Sequence, residues 1–135
     1  FSLPFNPTLW NTAGRMLFQL GFSGPSEELL YRSLNLAVLL FLARKAIANR
    51  GAATGLAVVL SVVIFMVDHI NFTLTPVFAI THFNWAQQVT ALVFGLFYAW
   101  LFLRYRTVYA PMVAHSLLNF VIELSAILLF LTYPL

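Results

Sequence analysis

The sequence contains no cysteine. Disulfides, thiolate metal sites and a cysteine nucleophile are therefore excluded, and the redox compartment is left open. Charge is nearly as scarce. Only 8% of the 135 residues are Asp, Glu, Lys or Arg, against roughly 25% in soluble domains. Such a chain cannot build the polar coat that a soluble domain of this size needs, which excludes a cytosolic enzyme, a nucleic-acid-binding module and a disordered tail. With 61% hydrophobic residues and a mean hydropathy of +0.90, an integral membrane protein is what remains. The seven basic residues exceed the four acidic ones by three and are scattered, with no dense basic face, so no nucleic-acid partner is expected. The length suits a single domain, 1–135. The chain opens on Phe1 without a charged n-region and cleavage site, a pattern compatible with a trimmed segment and with no signal peptide.

What is abundant is apolar sequence in long runs. A membrane-spanning helix needs about 20 mostly apolar residues. Four stretches qualify, at about 27–43, 52–67, 85–103 and 110–133. The expected fold is all-α, a polytopic transmembrane helical bundle of about four spans. A shorter apolar stretch, 8–21, carries Arg15 and reads as an interfacial or re-entrant helix within an N-terminal segment 1–23. Gly21, Gly24 and Pro25 are expected to stop that segment, with Ser26 capping the next helix and Glu27 and Glu28 in its first turn. Pro111 sits near the start of the fourth span, where a missing N–H costs little.

Basic residues set the expected orientation. Arg44, Lys45 and Arg50 cluster between the first two spans, and Arg104 and Arg106 between the last two. Residues 68–84 contain no Lys or Arg. The positive-inside rule makes the two basic loops cytoplasmic and puts the segment around His82 on the other side.

Ionisable groups inside a membrane are costly, so each is a candidate functional residue. The acids are Glu27, Glu28, Asp68 and Glu123, and the histidines are His69, His82 and His115. Glu28 and Arg32, four apart, share a helix face and are expected to neutralise each other. Glu27 points about 100° away and has no partner nearby in sequence. The plain alternative is that both acids only cap a helix N-terminus. His69 ends the second span, and as a lone histidine it reads as an interfacial polar residue more readily than as a catalyst, with Asp68 solvated beside it. His115, Asn119 and Glu123 form a polar stripe on the fourth span. That stripe faces the bundle interior or water, and by itself it could be an interhelical hydrogen-bond seam. Together, a carboxylate, two imidazoles and an amide on three helices are the groups that water-based hydrolysis requires. The carboxylate takes a proton from water, an imidazole shares that work, and amide and imidazole N–H groups hold an oxyanion.

These residues fall in a pattern that resembles the CPBP family of intramembrane proteases, which includes the type II CAAX prenyl endopeptidases and bacteriocin-processing and immunity proteins. Its EExxxR motif is matched by Glu27-Glu28-Leu29-Leu30-Tyr31-Arg32, FxxxH by Phe65-Met66-Val67-Asp68-His69, and HxxxN by His115-Ser116-Leu117-Leu118-Asn119. The run from Gly95-Leu96-Phe97-Tyr98 through Arg106-Thr107 to Ala110-Pro111 is similar to the family's approach to the third motif. The likeness covers about 24–120. It implies that Glu27 activates water with help from His69, that His115 and Asn119 bind the oxyanion, and that Glu28 and Arg32 support them. A zinc held by Glu27, His69 and His115 would make a common catalytic ligand set. No HExxH motif is present, and chemistry without a cofactor is the preferred reading. Ser33 stands where many members have Gly, Thr73 where the prenyl endopeptidases carry Asn, and Glu123 lies outside the family motifs. Glu123 reads foremost as a partner for an arginine or as a protonated buried carboxyl.

The resemblance implies an endopeptidase in a prokaryotic cytoplasmic membrane. Its partners would be membrane lipids and a membrane-associated or lipidated polypeptide substrate. Two other readings stay open, an inactive relative that binds a peptide as an immunity or scaffold protein, and a small proton-coupled transporter. One geometric conflict stands out. Measured from the basic loops at 1.5 Å per residue, Glu27 and His69 lie about 25 Å deep but His115 only about 12 Å. A tilt, a thinned bilayer or a later start to the fourth helix has to bring them together.

Overall fold

The computed structural model describes Asn6 and residues 8–133, so 1–5 and 7 of the expected N-terminal segment lie outside the described residues. Four helical rods make up the described chain. The first joins α1 (Leu9–Phe18), α2 (Gly24–Glu28) and α3 (Ala37–Ala46) through two π-helical segments, Gln19–Ser23 and Leu29–Leu36. The others are α4 (Arg50–Asp68), α5 (Trp85–Tyr105) and α6 (Tyr109–Thr132). The fold is an all-α polytopic membrane bundle. α4, α5 and α6 are each long and apolar enough to cross a bilayer without interruption. The expected first span, 27–43, lies inside the first rod and is part π-helical.

The stop expected at Gly21, Gly24 and Pro25 does not occur. Gly24 has φ −56° and ψ −51°, and helix continues on both sides of it. A proline inside a helix lacks a donor and its ring crowds the carbonyl four residues back. The wider π turn just before Pro25 absorbs that demand without ending the rod. Ser26 is not a cap, because its hydroxyl donates to the Ser23 carbonyl at 3.0 Å. Glu27 and Glu28 therefore sit within a continuous rod, and the capping alternative has no helix start to serve.

True starts are capped elsewhere. Thr8 accepts from the Asn11 N–H at 3.2 Å, Asn49 from Ala52 at 3.0 Å and Asn84 from Gln87 at 3.2 Å. Pro111 is the third residue of α6, where its missing donor is one of the orphans in any case. α5 ends on Arg106 in the left-handed region, φ 53° and ψ 33°, an unusual conformation for a residue with a Cβ.

One short element was not foreseen. Asn71–Thr73 and Ala79–His82 pair as an antiparallel hairpin, β1 and β2, between α4 and α5. Thr81 and His82 lie on β2.

The rods pack antiparallel around two apolar clusters. Near the basic loops, Leu36, Leu40 and Ala43 meet Ala53, Ala57 and Ala99, with Phe102 and Leu103 against them. Four alanines in one cluster let the backbones approach closely, which is how helices associate where lipid removes the hydrophobic drive. Nearer the hairpin, Tyr31, Phe65 and Ala91 pack with Met66. Gly95 lets α5 close on α4, since a Cβ there would meet Phe65 at 3.3 Å and Val62 at 3.4 Å. Most large apolar side chains on the outer faces of α4–α6 are exposed, as a lipid-facing surface requires.

The tightest approach joins the first rod to α6. A Cβ on Gly24 would lie 2.7 Å from the Ser116 backbone nitrogen. We expect Gly24→Ala to destabilise the bundle by roughly 1–3 kcal/mol, the usual cost of overpacking. Gly55→Ala on α4, with open space around it, should be neutral or stabilising. Thermal unfolding of both variants in detergent checks the contrast.

Candidate active site

The first rod carries two carboxylates at adjacent positions, in a short α-helical stretch with a π-helical segment on either side. Glu28 and Arg32 are each fully buried and form an ion pair, Nε to Oε2 at 3.1 Å, as their spacing predicts. The Arg32 guanidinium lies 4.9 Å from the centre of the Phe65 ring and 5.8 Å from that of Tyr98. Two aromatic faces thus take up part of the cation's field where water cannot. Ser61 on α4 donates to the Tyr31 carbonyl at 3.2 Å, tying the π segment to its neighbour.

The other oxygen of Glu28 holds α6. His115 Nδ1 lies 2.9 Å from Glu28 Oε1. A carboxylate accepts, so Nδ1 carries the proton and Nε2 faces away from Glu28. Nε2 is 3.7 Å from Glu27 Oε2, which is buried and has no hydrogen-bond partner among the described residues. Tyr98 stacks on the imidazole, 4.7 Å between centroids and 21° between planes, and fixes its orientation. Both oxygens of Glu28 are thus engaged, while Glu27 Oε2 is poised to accept.

Asn119, one turn beyond His115, donates through Nδ2 to Ser23 Oγ at 3.0 Å. Ser23 Oγ in turn donates to Glu27 Oε1 at 3.3 Å. Ser23 therefore links the acid to the amide. Its place four residues before Glu27, one helical turn away, was the only signal of this in the sequence. The second Nδ2 hydrogen of Asn119 is left for another acceptor.

His69 ends α4 with Nδ1 2.8 Å from the Phe65 carbonyl. A carbonyl also only accepts, so the His69 lone pair is on Nε2. His69 makes an edge contact with Phe65, 4.6 Å between centroids, and Phe65 makes another with His115 at 6.2 Å. Both histidines line a cavity of about 70 Å³ together with Gln87, Thr90, Tyr98 and Asn119. That space is large enough to admit water. Gln87 and Thr90, on the first turns of α5, were not picked out by sequence reasoning.

The structure thus joins Glu27, Glu28, Arg32, His115 and Asn119 in one network, while His69 shares with His115 and Asn119 a cavity that Glu27 does not line. Side-chain contacts bring these groups together although α6 starts no later than expected. Glu28 meets His115, Ser23 meets Asn119 and Arg15 meets Glu123, an antiparallel ladder between the first rod and α6. Glu123 is the partner of an arginine, one of the two readings favoured for it. Its carboxylate takes both Arg15 Nε and, at 3.1 Å, Nη2. Asp68 is exposed. His82 lies on the hairpin, away from the cavity.

Among the described residues no three His, Asp or Glu side chains gather closely enough to hold a metal ion. Glu27, His69 and His115 do not form a ligand set as placed.

Compared with known families, residues 9–121 match the model of the type II CAAX prenyl endopeptidase Rce1-like family. The chain belongs to that family. Among curated proteins and among solved structures, none matched. The Rce1-like family is one of membrane proteases, in agreement with the CPBP resemblance of the three motifs. Its match runs from the first residue of α1 to the middle of α6, so it takes in every residue of the network except Glu123.

Removing one member of the buried pair in this Rce1-like chain strands a charge. Arg32→Met should cost about 3–5 kcal/mol, as breaking buried pairs does. Glu28→Gln combined with Arg32→Met should cost less than the two single changes summed. A double-mutant cycle by thermal unfolding measures the coupling.

Proposed function

We propose that the chain is a glutamate-type intramembrane endopeptidase acting on a membrane-associated or lipid-anchored polypeptide, without a metal cofactor. The observation that carries this reading is Glu27 Oε2, buried, without a hydrogen-bond partner among the described residues, and 3.7 Å from the Nε2 of a histidine that Glu28 and Tyr98 hold in place. Family membership supports peptide hydrolysis as the reaction class.

In this scheme a water between Glu27 and the scissile carbonyl gives a proton to the Glu27 carboxylate as its oxygen bonds to the carbonyl carbon. His69 shares the load through its Nε2 lone pair. The carbonyl π electrons move to oxygen. That oxyanion accepts from the free Asn119 N–H and from His115 Nε2–H in the imidazolium form. Collapse reforms the carbonyl and breaks the C–N bond, and the leaving nitrogen takes the proton from Glu27. The two products are a new N-terminal amine and a new C-terminal carboxylic acid, which loses its remaining proton to water on release. Glu28 and Arg32 act as positioning residues, because they touch His115 and not the substrate.

Glu27→Gln keeps the shape and removes the base. We expect it to lower cleavage by about 10²–10⁴-fold, the range typical of a general base. Terminus mapping by mass spectrometry, on membranes with wild-type or Glu27→Gln protein at equal abundance, checks this. Peptide termini that vanish with the substitution identify the substrate. Identical termini in both samples sink the hydrolytic reading and leave peptide binding or proton-coupled transport. Chelation by EDTA should leave the wild-type termini in place, and their loss, restored by added zinc, would contradict the metal-free scheme.

A further inference from the structure

Hydroxyls inside these helices have a usual partner. Those of Thr54, Thr90, Ser125 and Thr132 each donate to the carbonyl four residues earlier, at 2.7–2.9 Å. That local bond is the common resort of a serine or threonine within a helix. Ser23 departs from it. At the end of the first π segment, its hydroxyl donates forward to Glu27 Oε1 at 3.3 Å and accepts from Asn119 Nδ2 at 3.0 Å. The close approach of the next residue, Gly24, to Ser116 keeps α6 within its reach.

A single hydrogen sets the polarity of this chain of bonds. A carboxylate only accepts, so the hydroxyl hydrogen of Ser23 is committed to Glu27. Asn119 then meets the Ser23 lone pairs, and its amide has to present nitrogen rather than oxygen. With Nδ2 held there, its second hydrogen stays available to an acceptor. In the reversed amide a carbonyl oxygen would take that place and repel an oxyanion. Glu27 is ordered by the same hydroxyl. Oε1 is engaged, while Oε2 has no hydrogen-bond partner among the described residues and is the atom left to take a proton. Asn119 lines the cavity with His69 and His115, whereas Ser23 does not, so Ser23 acts through its two neighbours.

We propose that Ser23 is a positioning residue that couples the charge of Glu27 to the orientation of the Asn119 amide. While Glu27 is ionised, the hydroxyl points at it and Asn119 is held as a donor. The state in which the base can take a proton is therefore the state in which the amide can receive an oxyanion. The part of Ser23 in catalysis rests on the hydrolytic reading above, whereas the coupling of Glu27 to Asn119 does not.

The coupling can be read without turnover. NMR of the full chain in detergent, with isotope-labelled asparagine side-chain nitrogens, gives an N–H pair for Asn119 that is identified by its loss in Asn119→Ala. Glu27→Gln should shift this pair when Ser23 is present, and by no more than about a third as much in the Ser23→Ala protein. A larger shift in Ser23→Ala, or none with Ser23 present, overturns the coupling. Ser23→Cys keeps the size but donates weakly, and it replaces Ser23→Ala if that variant fails to accumulate. Kinetics on a peptide spanning a junction found by terminus mapping test the catalytic part. Ser23→Ala should lower kcat by about 10–100-fold, less than the roughly 10²–10³-fold of removing an oxyanion donor, with KM nearly unchanged. Ser23→Thr keeps the hydroxyl and should restore most of the rate. An unchanged kcat in Ser23→Ala, an effect on KM alone, or a Ser23→Thr protein as slow as Ser23→Ala overturns the positioning role. Unchanged termini in Glu27→Gln membranes overturn hydrolysis and leave the coupling to stand or fall on the amide signals, while a failed coupling leaves hydrolysis standing.

Discussion

A carboxylate and a guanidinium, both wholly out of contact with solvent, sit at the centre of an apolar bundle. Burying either ion alone would cost several kcal/mol. Much of the interior follows from meeting that cost. Phe65 and Tyr98 cover the cation from α4 and α5. His115 engages the remaining carboxylate oxygen from α6. Each of the three later rods therefore contributes a group to one buried pair on the first rod. The same contacts that neutralise charge align the helices that carry the proposed chemistry.

The two adjacent acids have divided fates because the rod gives them different surroundings. Glu28 is enclosed and has both oxygens occupied, while Glu27 is partly exposed and meets Ser23 and His115 at its tip. A regular α-helix would also place adjacent residues about 100° apart. The flanking π segments do something further. They let a proline lie inside the rod, and they bring Ser23 and Arg32 to the two sides of the acids. Irregular helix of this kind recurs at functional sites.

The chain announces its membrane character through composition alone, since apolar runs of spanning length have few other uses. The Glu28–Arg32 pair was readable because four-residue spacing on a helix is local. The joining of His69, His115 and Asn119 came from a motif resemblance; spacing alone left other readings open. Arg15 as the partner of Glu123 was not legible, because 108 residues separate them and only the packing of α1 on α6 brings them together. The run Gly21 to Pro25 misled for a physical reason. Glycine and proline break isolated helices, but a π turn and close packing on α6 override that tendency here. The hairpin was invisible because strands of three and four residues are too short to show an alternating pattern.

Gly24 touches the residue next to His115 and stands one turn before Glu27 and Glu28. The first rod and α6 are therefore spaced at the site by a hydrogen atom where any other residue has a carbon. Acid and imidazole ride on those two rods, so their separation is fixed by how thin the chain is at this point. A single added methyl would act as a wedge. Its effect would be felt as distance between reacting groups, even in a protein that still folds and still reaches the membrane.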